Sequence, residues 1–187
     1  MYFNESKIIN KLAIKRYFWA WLNISFNKLD EDRLKEFGPD RTCAEWILRN
    51  GGAVRLCDNP EILNDYNKIP PEGNNICIQE VDASNSSIMH VGFVHFKNCR
   101  NIEKLILHRC GYLENIALGM LHPIKESLMY LQVSSCYNIS DSGLIKLEIL
   151  TRLEQLILRD LPFVKKREVV LEHLKKALPK CKIEFDK

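Results

Sequence analysis

The sequence contains no apolar run approaching the roughly 20 residues that a bilayer-crossing helix needs, which excludes a helical membrane span. It is also short of net charge. The 27 Lys and Arg against 24 Asp and Glu leave only +3, too weak a field to argue for a nucleic-acid partner. Motifs that carry chemistry are missing too: no glycine-rich phosphate loop ending in Lys-Ser/Thr, no Gly-x-Ser-x-Gly and no His-Glu-x-x-His. The expectation is a protein that is not an enzyme. The seven cysteines include no Cys-x-x-Cys pair and no His spacing suited to zinc. Two sit at repeated positions and most of the others in apolar contexts, a pattern of buried, reduced thiols rather than of metal ligands or disulfides. What is present, 46% apolar and 27% charged residues, is enough for an ordinary core.

The strongest positive signal is a phrase, apolar-x-x-apolar-x-apolar-x-x-Cys, in the second half. It reads Ile102-Leu105-Leu107-Cys110, then Leu128-Leu131-Val133-Cys136, then Leu153-Leu156-Leu158-Leu161 with Leu in the Cys position. Weaker copies are Ile78-Val81-Ala83-Ser86 before these and Leu178-Cys181-Ile183 after them. A period of roughly 25 residues lies in the range of leucine-rich repeats. Alternation around Leu105 and Leu107 turns one face of a short strand inward, and stacked units bury that face in a parallel sheet. The Cys falls where the chain leaves the strand, where a small thiol fills space and meets a buried carbonyl. In Ile139-Ser140-Asp141-Ser142-Gly143-Leu144 a turn leads into a helix, with Ser140 or Asp141 as N-cap and Leu144 and Leu147 facing inward. The predicted fold class is α/β: a short helical N-terminal domain over 18–76 followed by a Cys-containing leucine-rich-repeat solenoid over 77–187, of about four and a half repeats with helices on the outer side.

Residues 1–17 read as an address. Lys7, Lys11, Lys15 and Arg16 face one acid, Glu5, with Ile8, Ile9, Leu12 and Ile14 between them, the composition of a mitochondrial transit peptide. After it, Phe18, Trp21, Leu22, Phe26 and Leu29 recur at helical spacing and define an apolar face, with Asn23, Asn27, Lys28 and Asp30 on the other side. Phe18, Trp19 and Trp21 crowd three rings into four positions, suited to a membrane interface or a partner, or to capping the repeat core. Gly38-Pro39-Asp40 opens a second helix, with Asp40 as cap, that runs to Arg49 and stops at Asn50-Gly51-Gly52. Residues 57–75, with Pro60, Pro70, Pro71 and Gly73, read as a loop-rich connector.

Phe18-Trp19-x-Trp21-Leu22-Asn23, Gly38-Pro39-Asp40-Arg41, Glu45-Trp46-x-Leu48-Arg49 and Asp65-Tyr66-Asn67 together resemble coupling factor B, the subunit s family of mitochondrial ATP synthase. So do Val81-Asp82-Ala83-Ser84, Ile88-Met89-x-x-Gly92-Phe93 and Asp160-Leu161-Pro162-x-Val164-Lys165, in the same order and with similar spacing. The resemblance implies a non-catalytic factor bound peripherally to the membrane sector of ATP synthase, on the matrix face of the mitochondrial inner membrane, where it blocks a proton leak. It also implies a Mg²⁺ site between the N-terminal domain and the first repeat, whose ligands fall on Gly51 and Ser84. Such a site, with no carboxylate named, binds weakly. Arg55 matches an Arg of the family and is expected to face a partner. Members sensitive to dithiol reagents carry Cys-x-Cys where this chain has His108-Arg109-Cys110, so that chemistry does not transfer. Two other readings stay open: an assembly factor for the membrane arm of complex I, and a leucine-rich-repeat substrate adaptor of a ubiquitin ligase. A homo-oligomer is compatible with each.

Overall fold

Val81, Leu105, Leu131 and Leu156 occupy the same position of successive repeats, and they lie side by side in one sheet. The computed structural model describes residues 21–186. Its sheet has seven strands in the order β2-β1-β3-β4-β5-β6-β7. Strands β3 (Ile78–Asp82), β4 (Lys104–His108), β5 (Tyr130–Ser134), β6 (Gln155–Arg159) and β7 (Lys182–Phe185) are parallel, and β1 (Ala53–Leu56) and β2 (Ile62–Leu63) join antiparallel at one edge. The inward pairs Leu105 and Leu107, Leu131 and Val133, and Leu156 and Leu158 are wholly buried. At about 1.5–3 kcal/mol per buried aliphatic side chain, this ladder is the main source of cohesion.

The Cys position behaves as its chemistry requires. Cys136 Sγ donates to Leu107 O at 3.4 Å and Cys110 Sγ to Ala83 O at 3.1 Å, each reaching the carbonyl of the preceding unit. In the first unit the Ser86 hydroxyl donates within its own turn, to Ala83 O at 2.7 Å, while Leu161 fills the space by bulk alone. The residue just before this position, Asn85, Arg109, Ser135 or Asp160, has φ between 49° and 57°. In three units its N–H donates to the last carbonyl of the next strand, as Arg109 N does to Ser134 O at 2.9 Å. That bond holds a left-handed backbone costing a side-chain-bearing residue roughly 1–2 kcal/mol, a demand that the hydrophobic pattern does not express.

Two sequence expectations shift here. Ile183, not Cys181, pairs with Leu156, so the final repeat is displaced by two residues; Cys181 sits in the turn after Leu178. The helix of this unit, α6 (Arg167–Ala177), is longer than α4 (Asn115–Gly119) and α5 (Asp141–Ile145). Ser140 precedes α5, but its hydroxyl accepts from Asn115 Nδ2 at 2.8 Å instead of capping the helix. Asp141 reaches the next unit, accepting from Lys166 N at 2.7 Å.

The N-terminal segment packs on the β1 side of the sheet. Residues 21–27 form helix α1, followed by α2 (Glu31–Phe37), capped by Asp30, and α3 (Pro39–Arg49). Pro39 starts α3, ahead of the start that an Asp40 cap implies, and Gly51 (φ 86°) ends it by donating to Leu48 O at 3.0 Å. Asp40 is not the cap. Its carboxylate accepts from Ile78 N at 2.8 Å, tying the helix to β3, and half-burial raises its pKa.

Candidate functional site

Ala53 pairs with Asp82, Val54 with Val81 and Arg55 with Glu80, so Gly51 and Ser84 each lie two residues beyond the last observed pair, at the same end of the β1–β3 ladder. Asn50 O accepts from Ser87 N at 3.0 Å, closing the same junction. Gly52 is required there: a Cβ would stand 2.8 Å from Asp82 O and from the Ile47 side chain. The oxygens available are the Gly51 carbonyl, the Ser84 hydroxyl and the Asp82 carboxylate, which already accepts from Ser84 N at 2.9 Å. These are hard donors of the kind Mg²⁺ takes, and with one carboxylate among them the ion would keep most of its water. No cluster of three or more His, Cys, Asp or Glu occurs among the described residues, so a carboxylate cage is not part of this junction.

Beneath the junction lies a residue the helical wheel put on the polar face. Asn27 is 0% exposed. Its Nδ2 donates to Asn23 O (2.8 Å), Asn50 Oδ1 (3.1 Å) and Ser87 O (3.1 Å). Its Oδ1 accepts from Trp46 Nε1 (3.1 Å) and Met89 N (2.8 Å). A single amide thus joins α1, α3 and the loop after β3. This explains why the predicted apolar face fails: Trp21 is 62% exposed, α1 ends at residue 27, and Leu22 and Phe26 are only half-buried. Buried polar groups must be paired, and pairing Asn27 fixes the helix rotation ahead of its apolar residues.

Trp46, Phe93 and Phe96 pack edge to face, and His95 stacks on Trp46 with ring centres 5.0 Å apart. Gly92 leaves room for the Trp46 indole, which a Cβ would strike. Both His95 ring nitrogens are buried without a well-formed hydrogen bond. Burial drives the His95 pKa down to about 4; the nearby Lys28 and Asn27 backbone offsets this in part, and Arg49 adds to it. Above the ring Arg33 grips Glu45 with two bonds of 2.8 and 2.7 Å beside a cavity of about 20 Å³, room for about one water.

Arg55 is engaged within the sheet. Its guanidinium meets Glu80 at 3.1 Å and Gln79 at 2.6 Å, and Glu80 in turn holds Lys104 at 2.7 Å. The row continues to Tyr130, whose ring lies 5.4 Å from Lys104 Nζ. Phe18, Trp19 and the predicted address at 1–17 lie outside the described residues. Trp21 is 62% exposed and Ile24, three residues on, 40%. His108 Nδ1 pairs with Ser134 Oγ at 2.8 Å on the open face of the sheet, whereas Cys110 turns into the core, so the two do not converge on a ligand. Sequence reasoning missed a second aromatic edge: Tyr112, Tyr137 and Phe163, each just past the Cys position, are about half exposed. Their recurrence one or two residues after Cys110, Cys136 and Leu161 was the available signal.

The expectation of reduced thiols holds for five cysteines. Cys43, Cys99, Cys110 and Cys136 are buried and Cys181 is half-buried. Burial and the neighbouring Cys99 push the Cys43 thiol up. It fails for Cys57 and Cys77, which form a disulfide with Cα atoms 5.4 Å apart. The antiparallel pairing of β1 with β3 aligns them, a contact that sequence spacing does not reveal. No helix among the described residues is long and apolar enough to cross a membrane.

No protein-family model matches the chain. Curated proteins do. The mitochondrial ATP synthase subunit s of Rattus norvegicus is 41% identical over 175 residues, covering 91% of this chain and 88% of its own. The Homo sapiens protein of that name is 39% identical over 174 residues, with 91% and 87% covered. The Bos taurus protein is 38% identical over 175 residues. With such identity across nearly the whole of both sequences, the chain belongs to the mitochondrial ATP synthase subunit s family, coupling factor B.

Proposed function

We propose that this protein is a non-catalytic accessory subunit of mitochondrial ATP synthase. It docks peripherally on the membrane sector at the matrix face of the inner membrane and keeps proton flow coupled to ATP synthesis by blocking a leak. The observation that carries this reading is the identity to subunit s proteins over 91% of the chain. In this reading the parallel strands and the helices behind them are a Cys-containing leucine-rich-repeat solenoid, a rigid frame without moving chemistry. Residues 18–76 form the domain that presents Phe18, Trp19 and Trp21 to the partner, and residues 1–17 direct import. Arg55 lies on the same side of the frame as the sheet row ending at Tyr130 and offers a rim contact. Gly51 and Ser84 hold Mg²⁺ weakly and stiffen the junction between the helices and the first repeat strand.

Aromatic side chains carry a disproportionate share of binding energy at interfaces. Trp21 is 62% exposed and makes little of the core, so its removal is tolerable for folding. The test adds purified protein to inner-membrane particles depleted of subunit s and follows ATP-driven proton pumping. Wild type is expected to restore the gradient, and the Trp19→Ala/Trp21→Ala variant to restore much less at an unchanged thermal midpoint. Equal rescue by both removes the aromatic terminus from the mechanism. No rescue by wild type overturns the coupling reading in favour of an assembly role, which co-purification with complex I intermediates then identifies.

A further inference from the structure

The seven cysteines divide by what surrounds them. Four are thiols buried in the core, Cys181 is a half-buried thiol, and Cys57 and Cys77 are joined. Both joined residues are half-buried at the surface, beside a shallow depression that includes Pro70, Asn74 and Ile76. Cys57 follows β1 and Cys77 precedes β3, and Cys57 N donates to Cys77 O at 2.8 Å. The backbone therefore keeps the two sulfurs neighbours whether or not they are bonded. That is the arrangement reversible chemistry needs, because re-formation is an intramolecular closure rather than a search.

The segment that the bond closes is lightly held, with one short strand and no fully buried side chain. No residue of 58–76 is buried. Besides the two-residue pairing of β2 with β1 and the partly buried Leu63, Ile69 and Ile76, its fixed points are Arg41 Nη2, which donates to Pro70 O at 2.5 Å and Pro71 O at 2.9 Å, and the Tyr66 ring lying 5.8 Å from the Arg49 guanidinium. Segments with few buried contacts open at low free energy, so a covalent tie across their base has a large share in ordering them.

We propose that Cys57 and Cys77 form a reversible redox site, reduced by a small dithiol oxidoreductase and re-oxidised by a glutathione-type disulfide, whose state sets how firmly segment 58–76 is held against α3. In reduction one thiolate of the reductant attacks a sulfur of the pair. The Cys57–Cys77 bond breaks, and the released thiolate takes a proton. The second reductant thiol then displaces the mixed disulfide, leaving two protein thiols and an oxidised reductant. Two electrons and two protons pass to the protein. Re-oxidation by glutathione disulfide reverses this exchange and releases two molecules of glutathione.

The test uses the full chain carrying Cys181→Ser, so that the other free thiols are all buried. Native protein is equilibrated either with glutathione disulfide or with thioredoxin, its reductase and NADPH, blocked with a maleimide, and weighed intact. The expected result is no adduct after oxidation and two after reduction, with Cys57 and Cys77 as the labelled residues. A parallel tryptic digest monitors Lys68, the sole basic residue of 58–76. Cleavage there is expected to rise at least tenfold on reduction, and Cys57→Ser/Cys77→Ser is expected to cleave at the reduced rate in either buffer. Two adducts after oxidation, no adduct after reduction, or a Lys68 cleavage rate indifferent to redox state would each overturn the proposal.

Discussion

The repeat half and the N-terminal helices are both well packed, but they are specified in opposite ways. In the repeats one job recurs and is done by whichever residue fits: Ser86, Cys110, Cys136 and Leu161 occupy the same turn, three by donating to a carbonyl and one by bulk. Each unit touches its neighbours in the sheet, so a weak copy is carried by strong ones. In the N-terminal part nothing recurs. Asn27 makes five hydrogen bonds to partners up to 62 residues away, and no second residue duplicates it. Redundant apolar units tolerate change position by position; a polar hub concentrates the same responsibility in one side chain.

The largest effect that would test this contrast is a charge at the repeated turn. Cys136→Asp places an unpaired carboxylate in a site of 0% exposure and is expected to cost about 3–5 kcal/mol by urea unfolding. Cys136→Ser is expected to cost only about 1 kcal/mol, since a hydroxyl already donates to a buried carbonyl from the same position at Ser86. A Ser variant as damaging as the Asp variant would break the claim that the position is interchangeable. Next in size is Asn27→Ala, which strands the Trp46 Nε1 and Met89 N donors. At about 1–3 kcal/mol for each unmet buried group, a loss of about 3 kcal/mol is expected, with Trp46 fluorescence shifting as the indole meets water. A loss under about 1 kcal/mol would mean that the hub is replaceable after all.

Acid separates the halves as well. His95 has a folded pKa of about 4, below its ordinary value near 6.5. The unfolded chain therefore binds the proton first, and stability falls as pH drops from about 6.5 towards 4. The expected loss is on the order of 3 kcal/mol, since one pKa unit is worth about 1.4 kcal/mol and the folded value already includes the help of the neighbouring backbone. Asp40, raised by burial, acts with the opposite sign lower in the range. His95→Phe keeps a ring on Trp46 and is expected to flatten the slope between pH 6.5 and 4; an unchanged slope would assign the acid sensitivity to another group.

The same contrast explains what could be read from the sequence. Period, strand register through Leu156 and the role of Cys110 and Cys136 were legible because apolar alternation and a fixed repeat report burial directly. So was the stop of α3 at Gly51, where backbone geometry restricts the residue type, but not its start, which has Gly38 as cap instead of the expected Asp40. Asn27 was not, because periodicity scores an amide as surface regardless of what it meets. The two-residue slip at Ile183 escaped notice since Cys181 imitates an apolar repeat residue. Cys57 and Cys77 are brought together by the pairing of β1 with β3, and β1 is a strand too short to announce itself.

The smallest expected effect probes the seam between the halves. Arg55 on β1 binds Glu80 and Gln79 on β3, but Glu80 keeps Lys104 at 2.7 Å without it. Arg55→Ala therefore leaves no unpaired buried charge. A partly exposed ion pair is worth about 0.2–1 kcal/mol, so a loss of about 1 kcal/mol or less is expected. A double-mutant cycle with Glu80→Gln measures how tightly the two segments are joined. Coupling below about 1 kcal/mol fits an N-terminal part docked on a self-sufficient repeat sheet. Coupling of about 3 kcal/mol would instead make β1 energetically inseparable from the repeat strands, and the division between a polar hub and redundant repeats would then run through α3 rather than along the β1–β3 seam.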